Sequence, residues 1–130
     1  KSRKMFAATI LAFFFPATTT DIAVLKLPKI YLGQYPKPSV IPLAESDERI
    51  NRNDIIVTCG CPQGRWPSMQ VGHIIFYRSN GMIIEPPPTS GRSGSGVFDK
   101  AGEKILGILI WKSGVAVPAK KIRMLITGEI

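Results

Sequence analysis

The stretch Gly91-Arg92-Ser93-Gly94-Ser95-Gly96 decides how this chain is read. It sets a serine in a glycine-rich turn and runs straight into the apolar pair Val97-Phe98. Glycines on both sides let the backbone turn sharply and bring its N–H groups close together. A serine held there can attack a carbonyl while those N–H groups face the developing oxyanion. Such a nucleophile needs a base, and the base needs a carboxylate to orient it. Working outward, Asp21-Ile22-Ala23-Val24-Leu25-Lys26-Leu27 offers that carboxylate at the head of an apolar strand. The chain's one histidine, His73, sits between the two, inside the strand-like run Val71-Gly72-His73-Ile74-Ile75.

Composition sets the frame. With 130 residues, 45% of them apolar, the chain is long enough for one real core and too apolar to be disordered. Eleven prolines and twelve glycines among many short Val/Ile/Leu runs favour a turn-rich β protein. No apolar run reaches the ~18 residues that span a bilayer. The net charge is +8, with its denser clusters at Lys1-Ser2-Arg3-Lys4 and Lys120-Lys121-Ile122-Arg123. Neither cluster is interleaved with aromatics, and no nucleic-acid motif accompanies them, so they read as basic surface rather than as a nucleic-acid interface. Cys59 and Cys61 are separated by one residue, which in a strand puts both on one face about 7 Å apart, too far for an unstrained disulfide. Two thiols and one imidazole do not build a zinc site, so no metal or other cofactor is implied. The cysteines read as buried thiols, which favours a reducing compartment.

Residues 1–17 run from basic residues through an apolar stretch to small residues, the outline of a signal peptide. A buried strand followed by a proline turn explains the same pattern, and that reading is preferred. The absence of Met at position 1 points to a fragment or a processed product. Along the chain, residues 5–15 read as one long strand and residues 22–27 as a second, placed to pair with it. Residues 28–48 carry five of the prolines or glycines that break regular structure and read as an irregular connector. Strands return at 55–59, 70–77 and 82–85, with a hairpin turn at 78–81. After Pro86-Pro87-Pro88 and the serine loop come strands at 97–98, 105–111 and 115–117. Ile122, Leu125 and Ile126 recur at helical spacing within 119–127, which predicts a terminal amphipathic helix. Six or more short strands and one helix suggest an antiparallel barrel.

Taken together, these segments resemble the chymotrypsin-like serine proteases, in the Deg-type and viral or bacterial trypsin-like branch. Gly91-Arg92-Ser93-Gly94-Ser95 is similar to that family's Gly-x-Ser-Gly nucleophile loop. The segment from Asp21 to Leu27 resembles its Asp-Ile/Leu-Ala strand, Gly60-Cys61-Pro62-Gln63-Gly64 its Gly-x-Pro-x-Gly turn, and Gly107-Ile108-Leu109-Ile110-Trp111 its pocket-lining strand. Val115-Ala116-Val117-Pro118, followed by a helix, resembles its C-terminal end. The resemblance implies an all-β, chymotrypsin-like double β-barrel with the N-terminal barrel incomplete, plus a short C-terminal helix. Residues 1–30 would be the remainder of the first barrel, 31–53 an inter-barrel linker, and 54–130 the second barrel. It implies Ser93 as nucleophile, Asp21 as the residue orienting a histidine, and the backbone N–H groups of Gly91 and Ser93 as the oxyanion hole.

The resemblance has one large gap. In the family the histidine precedes the aspartate by tens of residues, whereas the 20 residues before Asp21 contain none. His73 follows Asp21 and reads as a structural strand residue. Two readings stay open. A serine endopeptidase would act on protein or peptide substrates, with its histidine supplied by an upstream segment of the same polyprotein or precursor. A catalytically dead barrel would serve binding or assembly, as in a viral or phage structural component. A nucleic-acid-binding barrel would need aromatics grouped with basic residues, and Trp66, Tyr77 and Trp111 are not so grouped. For specificity, the resemblance places Pro87 at the floor of the substrate pocket and Ile110, Trp111 and Lys112 along its wall. No acid stands at the floor, which argues against a preference for Lys or Arg. Lys112 narrows the pocket or favours an acidic side chain, unless it points out to solvent. Arg92 replaces the usual Asp or Asn, so it cannot pair with a newly cleaved N-terminus.

Overall fold

The computed structural model describes residues 9–13, 22–26, 40–45, 49–78, 81–88, 90–110 and 114–127. The chain divides into two compact units, Lys1–Val40 and Ile41–Ile130. In the first, strands β1 (Thr9–Phe13) and β2 (Ala23–Lys26) pair antiparallel, with Thr9 opposite Lys26 and Phe13 opposite Ala23. The register slips between Ile10 and Ala12, the mark of a bulge.

The second unit holds β3 (Ile55–Gly60), β4 (Ser68–Arg78), β5 (Gly81–Glu85), β6 (Gly96–Asp99), β7 (Ile105–Leu109) and β8 (Val115–Pro118). They close into one antiparallel barrel in the order β3-β4-β5-β8-β7-β6, with β6 pairing back onto β3. Helix α1 (Ala119–Thr127) follows β8 directly. Closure removes the open edges that a six-stranded sheet would otherwise expose.

Alternation along the strands explains the core. Ile56 and Thr58 of β3 point inward and are buried, while Ile55 and Cys59 point outward and are exposed. On β4, Ile74 is fully buried and Met69 and Val71 are exposed on the opposite face. A register slip between Ile74 and Phe76 then changes the parity, so Tyr77 packs against the core and Phe76 does not. Ile74, Met82, Val97 and Leu109, all at 0% exposure, form the centre. Each contributes on the order of 1.5–3 kcal/mol of burial. Ala119, Ile122 and Leu125 of α1 are buried at three-residue spacing. Arg123 on the same helix donates from Nε to Ala44 O (2.7 Å) and from Nη2 to Leu43 O (2.7 Å). Residues 42–44 are thereby tied to the helix, and to β7 through Ile105 N–H to Pro42 O and Ala44 N–H to Ile105 O, both 2.9 Å.

Two expectations change. Cys59 and Cys61 are free thiols, as expected, but exposed rather than buried. Cys59 has the outward parity of β3, because Ile56 and Thr58 take the inward positions, and Cys61 lies beyond the strand's end. Ile126 is also exposed, since the buried stripe of α1 runs through 119, 122 and 125. The inference of a reducing compartment from buried thiols loses its ground with the first of these. Among the described residues, no helix is long and apolar enough to cross a membrane.

Candidate functional site

The serine loop leads into β6 and is built around one tight turn. Ser95 N–H donates to Arg92 O (3.0 Å), and Gly94, at the third position, has φ +88°. That is the pattern of a type II turn, which needs a residue tolerant of positive φ at that position. Ser93 occupies the corner and is exposed. Gly91 has φ +95°, and a Cβ there would lie 2.5 Å from Cys61 O and 2.8 Å from Gln63 N. No other residue type fits at that point without moving the loop.

Neighbouring strands fix the loop. Gly94 N–H donates to Leu109 O (2.6 Å), and Leu109 N–H donates to Ser95 O (2.9 Å), so its second half is stitched to β7. Its first half is held by Gln63 N–H, which donates to Ser90 O (2.8 Å) from the short 3₁₀ turn Pro62–Gly64. Between them Arg92, only 4% exposed, sends Nη1 to Ser68 O (3.0 Å) and Nη2 to Ser68 Oγ (2.7 Å) at the start of β4. Among the described residues, the loop's backbone-to-backbone donors are Gly94 and Ser95. The arrangement thus sets an exposed hydroxyl at the corner of a turn that is anchored to the Pro62–Gly64 turn, to Ser68 and to β7.

The other expected site residues fall in different places. His73 Nε2 lies 3.4 Å from Glu85 Oε2, and both side chains are partly exposed. His73 is opposite Ile55 and Glu85 in the sheet, five residues along β4 from Ser68, a separation of about 16 Å. Pro87 is exposed between β5 and the loop. Ile110 is half-buried past the end of β7, and its N–H donates to Val115 O (3.0 Å). Asp21, Trp111 and Lys112 lie outside the described residues. Sequence reasoning missed the grip of Arg92 on Ser68, and it missed Gly60, where a Cβ would lie 2.5 Å from Ser95 Oγ and 3.1 Å from Arg92 Cγ. The Gly-Cys-Pro-Gln-Gly run marked Gly60, but nothing local marked Ser68. A hollow of about 370 Å³, lined by Pro62, Gln63, Arg65, Met69, Gln70 and Arg92, adjoins the loop. No group of His, Cys, Asp and Glu suited to a metal ion occurs among the described residues.

Comparison with solved structures decides the fold. The serine endoprotease from Yersinia pestis superposes with a TM-score of 0.73 over 96% of this chain and 44% of its own, at 19% identity. The inactive form of the Rv3671c protease matches with a TM-score of 0.68 over 96% of this chain and 67% of its own, at 19% identity. A serine-to-alanine variant of Rv3671c from M. tuberculosis, also an inactive form, gives 0.67 over 95% and 64%, at 18% identity.

This is the chymotrypsin-like protease fold.

The present chain spans about two thirds or less of the length of these proteases. No protein-family model matches it, and no curated protein sequence does. The closed barrel and the terminal helix are therefore those of a protease-like fold.

Proposed function

We propose that this chain is the nucleophile-bearing part of a serine endopeptidase. Ser93 Oγ attacks the carbonyl carbon of a peptide bond as its proton passes to a histidine, and the N–H groups of Gly91 and Ser93 stabilise the tetrahedral oxyanion. Collapse of that intermediate gives an acyl-enzyme on Ser93 and passes the proton to the departing amine. Water then releases the acyl group by the same route in reverse. Asp21 orients the histidine, which comes from outside residues 1–130. The substrate is a protein or peptide, and Pro87, Ile110, Trp111 and Lys112 contact the side chain that precedes the cut.

The observation that carries this reading is the exposed Ser93 at the corner of a turn built on Gly91 and Gly94, in a barrel of the protease fold. One observation favours a second reading, a protease-like barrel kept for binding or assembly. The chain's one histidine is engaged with Glu85, five strand positions from the residue that anchors the loop. A fluorophosphonate probe separates the two on the full-length polypeptide, including whatever precedes Lys1 in the gene. Incorporation at Ser93 that is lost in Ser93→Ala is the expected result. A full-length protein whose Ser93 stays unmodified would establish the binding module instead.

A further inference from the structure

We propose that Arg92 is the positioning residue of the serine loop. Its fork of two bonds to Ser68 holds the turn so that Ser93 and the amides of Gly91 and Ser93 converge on one substrate oxygen. This role rests on Ser93 being the nucleophile.

The loop is stitched to the barrel at both ends, to the 3₁₀ turn through Ser90 and to β7 through Gly94 and Ser95. Residue 92, next to the nucleophile, lies between those anchors, and its side chain supplies the central one. A planar guanidinium reaches two acceptors of one residue at once, and both bonds are charge-assisted. The end of the β3–β4 pair is shaped to receive it. Gly60 and Ser68 are directly paired across those strands, the arginine stem passes where Gly60 lacks a side chain, and Ser68 provides both acceptors. A lysine at 92 has no planar fork with which to grip both oxygens. An arginine buried to 4% exposure beside an exposed serine thus couples the start of β4 to the site of reaction.

The test uses the full-length polypeptide and two readouts, fluorophosphonate inactivation and amide hydrogen exchange at Gly94 and Leu109. Arg92→Met should lower the first-order inactivation rate constant by about tenfold or more, with probe affinity changed by less than about threefold. Arg92→Lys and Ser68→Ala should fall between it and the unsubstituted chain. In Arg92→Ala, added guanidinium should enter through the adjoining hollow and restore part of the rate. Exchange at Gly94 should quicken in the same order. Unchanged inactivation and unchanged exchange in Arg92→Met would overturn the role. Should that variant not fold, unchanged values in both Arg92→Lys and Ser68→Ala would overturn it equally. If the unsubstituted chain does not react with the probe, the catalytic reading fails and exchange alone decides: faster exchange in Arg92→Lys upholds the clamp, and unchanged exchange removes it.

Discussion

Two turns flank β6, and they are held in opposite ways. The turn after it, from Asp99 to Lys104, satisfies itself. Asp99 Oδ1 accepts from Glu103 N–H (2.7 Å) and Lys104 N–H (3.3 Å), Asp99 O accepts from Gly102 N–H (2.9 Å), and Lys104 O accepts from Asp99 N–H (3.1 Å). All of these bonds lie within six consecutive residues. The serine loop before β6 makes one such local bond, from Ser95 N–H to Arg92 O, and takes its other anchors from Gln63, Ser68 and Leu109. A turn whose task is to reverse the chain can bond its own amides. The serine loop is fixed from elsewhere instead, through the Pro62–Gly64 turn, the start of β4 and β7.

The contrast predicts a graded set of effects. Gly91→Ala should be the most damaging, because the left-handed backbone and the contact with Cys61 O act together. It should cost about 3 kcal/mol in chemical denaturation and remove nearly all fluorophosphonate reactivity. Gly94→Ala meets only the backbone penalty, since the space beyond its Cα is open. A loss of about 1 kcal/mol is expected, with a several-fold slower reaction. Asp99→Ala should also cost about 1 kcal/mol by unfolding midpoint, but leave the reactivity of Ser93 as it was. If Asp99→Ala slowed the reaction as much as Gly94→Ala, the distinction between the two turns would break down. Glu85→Gln should be the mildest. Its partner His73 is partly exposed, so the pair is screened by solvent, and stability should move by less than about 0.5 kcal/mol. Unchanged reactivity there sharpens the separation of His73 from the site; a large drop in reactivity would mean that His73 takes part after all.

Legibility in the sequence followed the range of the interactions. The helix at 119–127 was readable from Ile122 and Leu125, because its buried stripe is a local periodicity. The serine loop was readable because positive φ at Gly91 and Gly94 demands glycine. The parity of β3 was not, since Ile55-Ile56-Val57-Thr58-Cys59 is apolar on both faces and gives no sign that Cys59 faces out. Strand ends slipped for a related reason. The strand predicted at 105–111 ends at Leu109, where Ile110 turns its N–H to Val115 O. The partnership of Arg92 with Ser68 spans 24 residues, and no local pattern encodes it. Asp21 keeps the role that resemblance assigns it as a proposal, because it lies outside the described residues.

The most direct measurement is a crystal structure of the full-length polypeptide soaked with a peptide boronic acid. The expected result is a tetrahedral boron bonded to Ser93 Oγ, with one of its oxygens about 3 Å from both Gly91 N and Ser93 N. A loop left unmodified at saturating boronate, or a boronate on Ser93 whose oxygens meet neither amide, would contradict it.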